Sequence, residues 1–204
     1  LKRENIQDPK IQGYLDILEA KAQRLKHLTE DVVEASKISS GNITMEYMNI
    51  NFVEMINQTT GEFAEKFEKR NLQIVLNVPE KPVMVRTDGR RMWRVIENIY
   101  NNAAKYALEG TRVYADLIEK EHTVEFSLKN ISEQPLNISA DELTERFIRG
   151  DVSRSTEGSG LGLSIAKNLT ELQGGKFELY LDGDLFKVTI VFPKAVVGQS
   201  VTKS

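Results

Sequence analysis

Two stretches of this chain carry residues whose types and spacing suit a phosphate-bearing ligand. The first is Glu157-Gly158-Ser159-Gly160-Leu161-Gly162-Leu163, running into Ser164-Ile165-Ala166-Lys167. Glycines let a backbone approach a ligand closely and adopt positive φ. A helix starting there offers free N–H groups and the positive end of its dipole to an anion. A flexible turn would use the same glycines. The segment is not the dinucleotide-binding fingerprint, because no strand leads directly into it. The second stretch is Val95-Ile96-Glu97-Asn98-Ile99-Tyr100-Asn101-Asn102-Ala103-Ala104-Lys105-Tyr106. Asn98 and Asn102 are four apart and share a helical face, with Lys105 three further on and close to it. Asn is a middling helix former, so three within five positions calls for a reason. Amide oxygens suit Mg²⁺, which takes few protein ligands and completes its shell with phosphates and water. A polar, solvent-facing surface would also account for these asparagines. The interleaved Val95, Ile96, Ile99 and Ala103 give the helix a buried face as well.

The elements that must position these residues follow from periodicity. Residues 9–38 step at helical spacing through Ile11, Leu15, Leu18, Ala22, Leu25, Thr29 and Val32, an apolar seam with one polar interruption. A lone helix cannot bury such a stripe, so it is expected to need a partner helix from a bundle or a second chain. Packing on its own domain is the plainer alternative. Ser39-Ser40-Gly41-Asn42 then breaks the chain. Further helices are expected over 52–70, from a cap at Thr87 or Asp88 to about 107, from a capping box at Ser139-Ala140-Asp141-Glu142, and over 161–172, where Gly174-Gly175 stops it. Strands are expected over 72–78, 83–85, 112–118 and 124–129. A hairpin pairs 176–181 with 185–192 across Asp182-Gly183-Asp184. Because strands mostly follow one another, the fold class is α+β: a two-layer sandwich, one mixed sheet covered by helices, with a long N-terminal helix. The domain division is 1–41 for that helix, 42–193 for the sandwich and 194–204 for a flexible tail.

Bulk properties narrow the function. The 204 residues are 40% hydrophobic and 28% charged, with a net charge of −3. A nucleic-acid binder would be clearly basic, so no nucleic-acid partner is expected. The absence of cysteine excludes a disulfide framework and is compatible with a reducing cytoplasm. No stretch approaches the roughly 20 apolar residues of a membrane span, and no signal peptide is visible. A chain opening on Leu1 is expected to be a piece of a longer protein.

The asparagine helix and the glycine segment together resemble the N-box and the second glycine box of sensor histidine kinases, within the superfamily that shares the Bergerat ATP-binding fold. Arg146-Phe147-Ile148-Arg149-Gly150-Asp151 resembles the F-box, and 149–157 looks like the ATP lid. Thr87-Asp88 through Arg94 is similar to the usual entry into the N-box helix. Residues 25–37 look like the second helix of the dimerisation and phosphotransfer hairpin. The resemblance implies that Asn98 and Asn102 face Mg²⁺ and the phosphates of ATP, with Asn102 the more direct metal ligand. It implies that Lys105 reaches a phosphate oxygen and Tyr106 packs on adenine. Gly158, Gly160 and Gly162 would line the triphosphate, Arg149 or Arg154 would be lid cations, and Phe147 and Leu161 would anchor the lid.

The implied activity is phosphoryl transfer from ATP to histidine. The implied partners are a response-regulator receiver domain and, through the helical hairpin, a second copy. The implied location is a cytoplasmic domain of a membrane protein, itself without membrane contact. The sequence departs from the family pattern twice. Where the family has Asp-x-Gly-x-Gly, this chain has Asn130-Ile131-Ser132, then Glu133-Gln134-Pro135 without glycine. Asn130 keeps an acceptor for the adenine amino group but loses the charge. The only histidines, His27 and His122, both lack the family's acceptor setting, so the chain is expected not to phosphorylate itself. Two alternatives remain. One is a degenerate nucleotide-binding regulatory module. The other is an ATPase relative of the mismatch-repair or chaperone type, which places a catalytic Glu where Asn98 stands; Asn cannot serve as a general base.

Overall fold

The computed structural model describes residues 8–41, 43–136 and 161–195. The first helix, α1 (Pro9–Ser39), is capped by Asp8, whose carboxylate accepts from Lys10 N at 2.9 Å. Then follow β1 (Tyr47–Asn51), α2 (Phe52–Glu68), β2 (Gln73–Asn77), β3 (Met84–Asp88) and α3 (Gly89–Tyr106). The second half carries β4 (Arg112–Glu119), β5 (Thr123–Ile131), α4 (Gly162–Leu172), β6 (Lys176–Asp182) and β7 (Leu185–Pro193). A five-stranded sheet runs in the order β2-β4-β5-β7-β6, and β1 and β3 form a separate two-stranded ribbon. β2 lies parallel to β4, while the other neighbours are antiparallel, so the sheet is mixed.

In β4, β5 and β7 alternate residues are buried, the mark of a sheet covered on one face. The covered face carries Val113, Ala115, Phe126, Leu128, Val188 and Ile190, packed against residues of α2, α3 and α4 in one hydrophobic core. At its centre Tyr100 stacks on Phe126 with centroids 6.3 Å apart, and Phe63 and Phe67 tilt against it. Full burial of each such ring stabilises by roughly 1.5–3 kcal/mol. The Tyr100 hydroxyl meets Thr60 Oγ1 at 2.8 Å, and burial pushes its pKa up to about 12.

The two-layer sandwich with a long N-terminal helix is thus the observed fold. Two local features differ from the sequence reading. β1 was not foreseen, because Tyr47–Asn51 owes its extended form to pairing with β3 (Tyr47↔Asp88 to Asn51↔Met84) rather than to local pattern. Beyond Pro193, Lys194 N donates to His122 O and Ala195 N to Met84 O, both at 3.0 Å, so the ordered edge includes two residues assigned above to the tail. The capping box at 139–142 lies outside the described residues.

Candidate functional site

α3 is set in place from both ends. At its start Asp88 Oδ1 accepts from Arg91 N at 3.0 Å and Oδ2 from Glu46 N at 2.9 Å. Burial alone would raise the pKa of Asp88. The N–H groups of Glu46 and Arg91, with the Arg91 charge, outweigh it and hold the carboxyl below its usual range. Gln173, at the end of α4, accepts from Thr87 Oγ1 and, at 3.1 Å, from Asp88 N, and donates to Leu169 O at 2.8 Å. The end of α4 therefore sits on the start of α3. At the other end of α4, Gly162 lies against the middle of α3: a Cβ there would be 3.1 Å from Asn98 Oδ1. The helices are antiparallel, and the missing side chain at Gly162 is what lets the start of α4 pack beside Asn98.

Asn98 is 7% exposed, and its Nδ2 has no hydrogen-bond partner among the described residues. An unpaired buried N–H costs about 1–3 kcal/mol, so the group is complementary to an anionic oxygen. Asn102, one turn on, is half-buried, and its side chain makes no hydrogen bond among the described residues. Asn101 points elsewhere: its Oδ1 accepts from Lys66 Nζ of α2 at 3.1 Å. Lys105 Nζ donates to the Tyr106 hydroxyl at 2.8 Å and lies 4.6 Å from the centre of that ring, so these two predicted site residues are in contact.

At the exit of β5, Asn130 is 3% exposed. Its Nδ2 donates to Ile131 O at 3.1 Å, which leaves Oδ1 buried without a donor. The opposite amide orientation would set two oxygens against each other, so the network itself assigns the acceptor as the free atom. Chain exits tie this strand to α3: Leu108 N donates to Ile131 O, and Glu133 N to Tyr106 O, both at 2.8 Å.

Leu161 and Gly162 open α4, with Ser164 Oγ and Ile165 N donating back to Leu161 O. Phe147, Arg149, Arg154, Gly158 and Gly160 lie outside the described residues. Among the described residues no group of three His, Asp, Glu or Cys side chains could hold a metal. A cation here would depend on the amide oxygens of Asn98 and Asn102, while the unpaired Asn98 Nδ2 fits an anionic phosphate oxygen rather than the cation itself. Sequence reasoning missed Gln173, Arg70 and Glu133, whose partners lie on other elements.

This geometry agrees with what the chain resembles. Residues 87–196 match the model of the histidine kinase-, DNA gyrase B- and HSP90-like ATPase family. The chain belongs to that family. Among curated relatives, the sensor protein KdpD of Clostridium acetobutylicum is 31% identical over 81% of this chain and 19% of its own length. The sensor protein VanS of Enterococcus faecium is 31% identical over 80% of this chain and 42% of its own. The chain therefore spans well under two thirds of either relative. Among solved structures, the catalytic domain of histidine kinase ThkA is 26% identical, with a TM-score of 0.64 over 74% of this chain and 97% of that one. Full-length ShkA, solved with AMPPNP, has the same fold at 19% identity, with a TM-score of 0.77 over 97% of this chain and 42% of that one. Within the ATPase family this is a sensor histidine kinase catalytic domain preceded by a long helix.

Proposed function

We propose that the chain binds Mg-ATP and serves as the phosphoryl-donating portion of a two-component sensor kinase. One observation carries the reading: of the three buried side-chain amide atoms without partners among the described residues, Asn51 Oδ1 lies at the start of α2, and the other two, of opposite sense, lie at the site. Asn98 offers a donor beside Gly162, and Asn130 offers an acceptor at the exit of β5. A nucleotide satisfies both, with phosphate oxygens at one end and an exocyclic amine at the other. Asn98 and Asn102 would hold Mg²⁺ and the phosphates, Lys105 would neutralise a phosphate oxygen, and Tyr106 would face the base. Bound Mg²⁺ would offset the negative charge of the phosphates. The histidine nitrogen attacks the γ-phosphorus, the bond to the β,γ-bridging oxygen breaks and ADP leaves. No side chain here need form a covalent bond, since such transfer is mainly positioning and charge neutralisation.

His27 on α1 and His122 in the turn after β4 are both exposed, and neither has acceptor surroundings. The accepting histidine is therefore assigned to another part of the full kinase. ThkA was solved in complex with a response regulator. By likeness, a receiver domain is proposed as the later phosphoryl acceptor, with dimerisation through the bundle that includes α1. No described helix is long and apolar enough to cross a membrane. A cytoplasmic position in a membrane-bound sensor is proposed from the relatives. The division 1–41, 42–193 and 194–204 is proposed, with Lys194 and Ala195 bonded to the sandwich.

Titration with an ATP analogue, with and without Mg²⁺, tests the reading: saturable binding that strengthens with Mg²⁺ is expected. Radiolabelled ATP should leave no acid-labile, base-stable label on this chain. Label that vanishes in His27→Ala would refute the histidine assignment. A second reading rests on Asn130 and the glycine-free loop after it, which suit a module that holds nucleotide without turnover. Phosphorylation of a separately supplied dimerisation hairpin separates the two.

A further inference from the structure

A helix leaves its last four carbonyls without intrahelical donors. At the end of α3 all of them are satisfied, and mostly by one distant residue. Ala103 O makes the last intrahelical bond, accepting from Ala107 N at 3.0 Å, so the four in question are the carbonyls of Ala104, Lys105, Tyr106 and Ala107. Arg70, in the turn after α2, donates through Nη1 to Lys105 O and, at 3.4 Å, to Ala104 O, and through Nη2 to Ala107 O at 3.1 Å. The remaining carbonyl, Tyr106 O, takes the N–H of Glu133. Arg70 Nη2 also pairs with Glu133 Oε2 at 2.9 Å. The two residues that complete this helix end are thus bonded to each other.

They also join the two walls of the nucleotide site. Lys105 and Tyr106 stand on the last turn of α3. Asn130 stands three residues before Glu133, and the Ala107↔Ser132 bridge lies between the two chain exits. The loop 132–135 has no glycine, and a guanidinium–carboxylate pair holds it against α3. Arg suits this place because its planar fork donates in several fixed directions at once, which an ammonium does not do.

We infer that Arg70 and Glu133 are positioning residues for the nucleotide, setting the Lys105–Tyr106 turn at its distance from Asn130. The inference rests on the nucleotide reading above. The ion pair itself contributes little to folding, because the Arg70 and Glu133 side chains are 27% and 49% exposed and such pairs add little stability; the Arg70 bonds to the helix-end carbonyls are a separate contribution that Glu133→Gln leaves in place. Glu133→Gln keeps the backbone N–H on Tyr106 O and removes only the charge. It should weaken binding of an ATP analogue about threefold, equally with and without Mg²⁺, while the melting temperature stays within about 2 °C. Arg70→Ala should weaken binding roughly tenfold, Arg70→Lys should not restore it, and Arg70→Ala with Glu133→Gln should lose no more than Arg70→Ala alone.

Calorimetry and thermal melts on wild type, these variants and Asn102→Ala decide the matter. If Arg70→Ala does not fold, Glu133→Gln carries the test. Wild type that fails to bind the analogue overturns both the nucleotide reading and this inference. Mg-dependent binding by wild type, lost in Asn102→Ala but unchanged in Glu133→Gln and Arg70→Ala, overturns this inference alone. A melting temperature that falls in step with affinity overturns it too, since it would reduce the pair to a helix cap.

Discussion

In α1 the apolar residues Tyr14, Leu18, Leu25 and Val32 are 58–66% exposed, while Asp31 is 9% exposed. In α3 Met92, Val95, Ile96, Ile99 and Ala103 are all at 0–1%, and the charged residues Arg91 and Arg94 meet α1. Both helices carry an apolar stripe, α3 much the more sharply segregated, and they use it in opposite ways. α3 is bound to the domain by apolar burial. α1 is bound largely by charge, with Ile38 near its end packed on the core: Arg94 reaches Asp31 and Glu34 of α1 as well as Glu97 of α3, and Arg91 reaches Glu34 at 2.6 Å. Burial acts to lower the pKa of Arg94, and Glu97, Asp31 and Glu34 raise it by more. The apolar stripe of α1, with Leu18, Leu25 and Val32, is left exposed, while its polar side makes the charged contact with the domain. Amphipathicity shows that a helix has two faces; it does not show which one the domain takes.

The comparison breaks first, and by most, on stability. Ile99→Ala, at 1% exposure, should cost about 2–5 kcal/mol in a denaturant melt. Leu25→Ala, at 66% exposure, should stay within about 0.5 kcal/mol. A large, concentration-dependent cost at Leu25 would mean that a second copy covers the stripe in solution.

Next in size is the charge contact. Arg94→Ala leaves the carboxylates of Asp31, Glu34 and Glu97 gathered without their shared cation. Removing one partner of a fully buried pair costs 3–5 kcal/mol; at 12–29% side-chain exposure about 2 kcal/mol is expected here. Hydrogen exchange should quicken along the second half of α1 and leave α3 protected. Equal loosening of both helices would show that the network holds the core rather than the docked helix.

Within α3 itself the faces divide again. Asn102→Ala should weaken Mg-dependent nucleotide binding roughly tenfold. Asn101→Ala removes only an exposed contact to Lys66 and should change binding by less than about twofold. Equal losses in a titration would place the metal-facing side wrongly.

Much of this was legible because the signals are local. The steps of α1 and α3, the Asp88 cap, the two glycines ending α4 and the Asp182-Gly183-Asp184 turn each act within a few residues. Gly174 and Gly183 take positive φ of 79° and 55°, as those stops require. β1 was hidden because its partner lies well down the chain. Gln173 and the Arg70–Glu133 pair were hidden for the same reason: a polar residue at a helix end has many possible partners, and only the packed fold selects one. Asn98 could be placed on a face, but its unpaired donor became visible only once α4 had closed over it.

The smallest effect concerns Asn130, where the fold changes the expectation drawn from sequence. An Asp in that place has a charge to strengthen a hydrogen bond from an adenine amine, which on the sequence alone would tighten ATP binding about fivefold, for roughly 1 kcal/mol. In the folded chain, however, Asn130 is 3% exposed, and its Nδ2 donates to Ile131 O at 3.1 Å. A carboxylate there would set an oxygen against that carbonyl, buried without a donor, and such a site raises a carboxyl pKa. The raised pKa means that the folded variant holds its proton longer than the unfolded chain. Its stability should therefore fall as pH rises above the ordinary aspartate range, a slope that wild type lacks at this position. At neutral pH Asn130→Asp should change ATP-analogue affinity by no more than about twofold. Calorimetry at neutral pH, paired with melts across the acid range, checks both parts. A fivefold gain in affinity without the new pH slope would mean that the Ile131 carbonyl turns aside for the carboxylate, and that Asn130 acts as a weakened aspartate rather than as part of a differently bonded pocket.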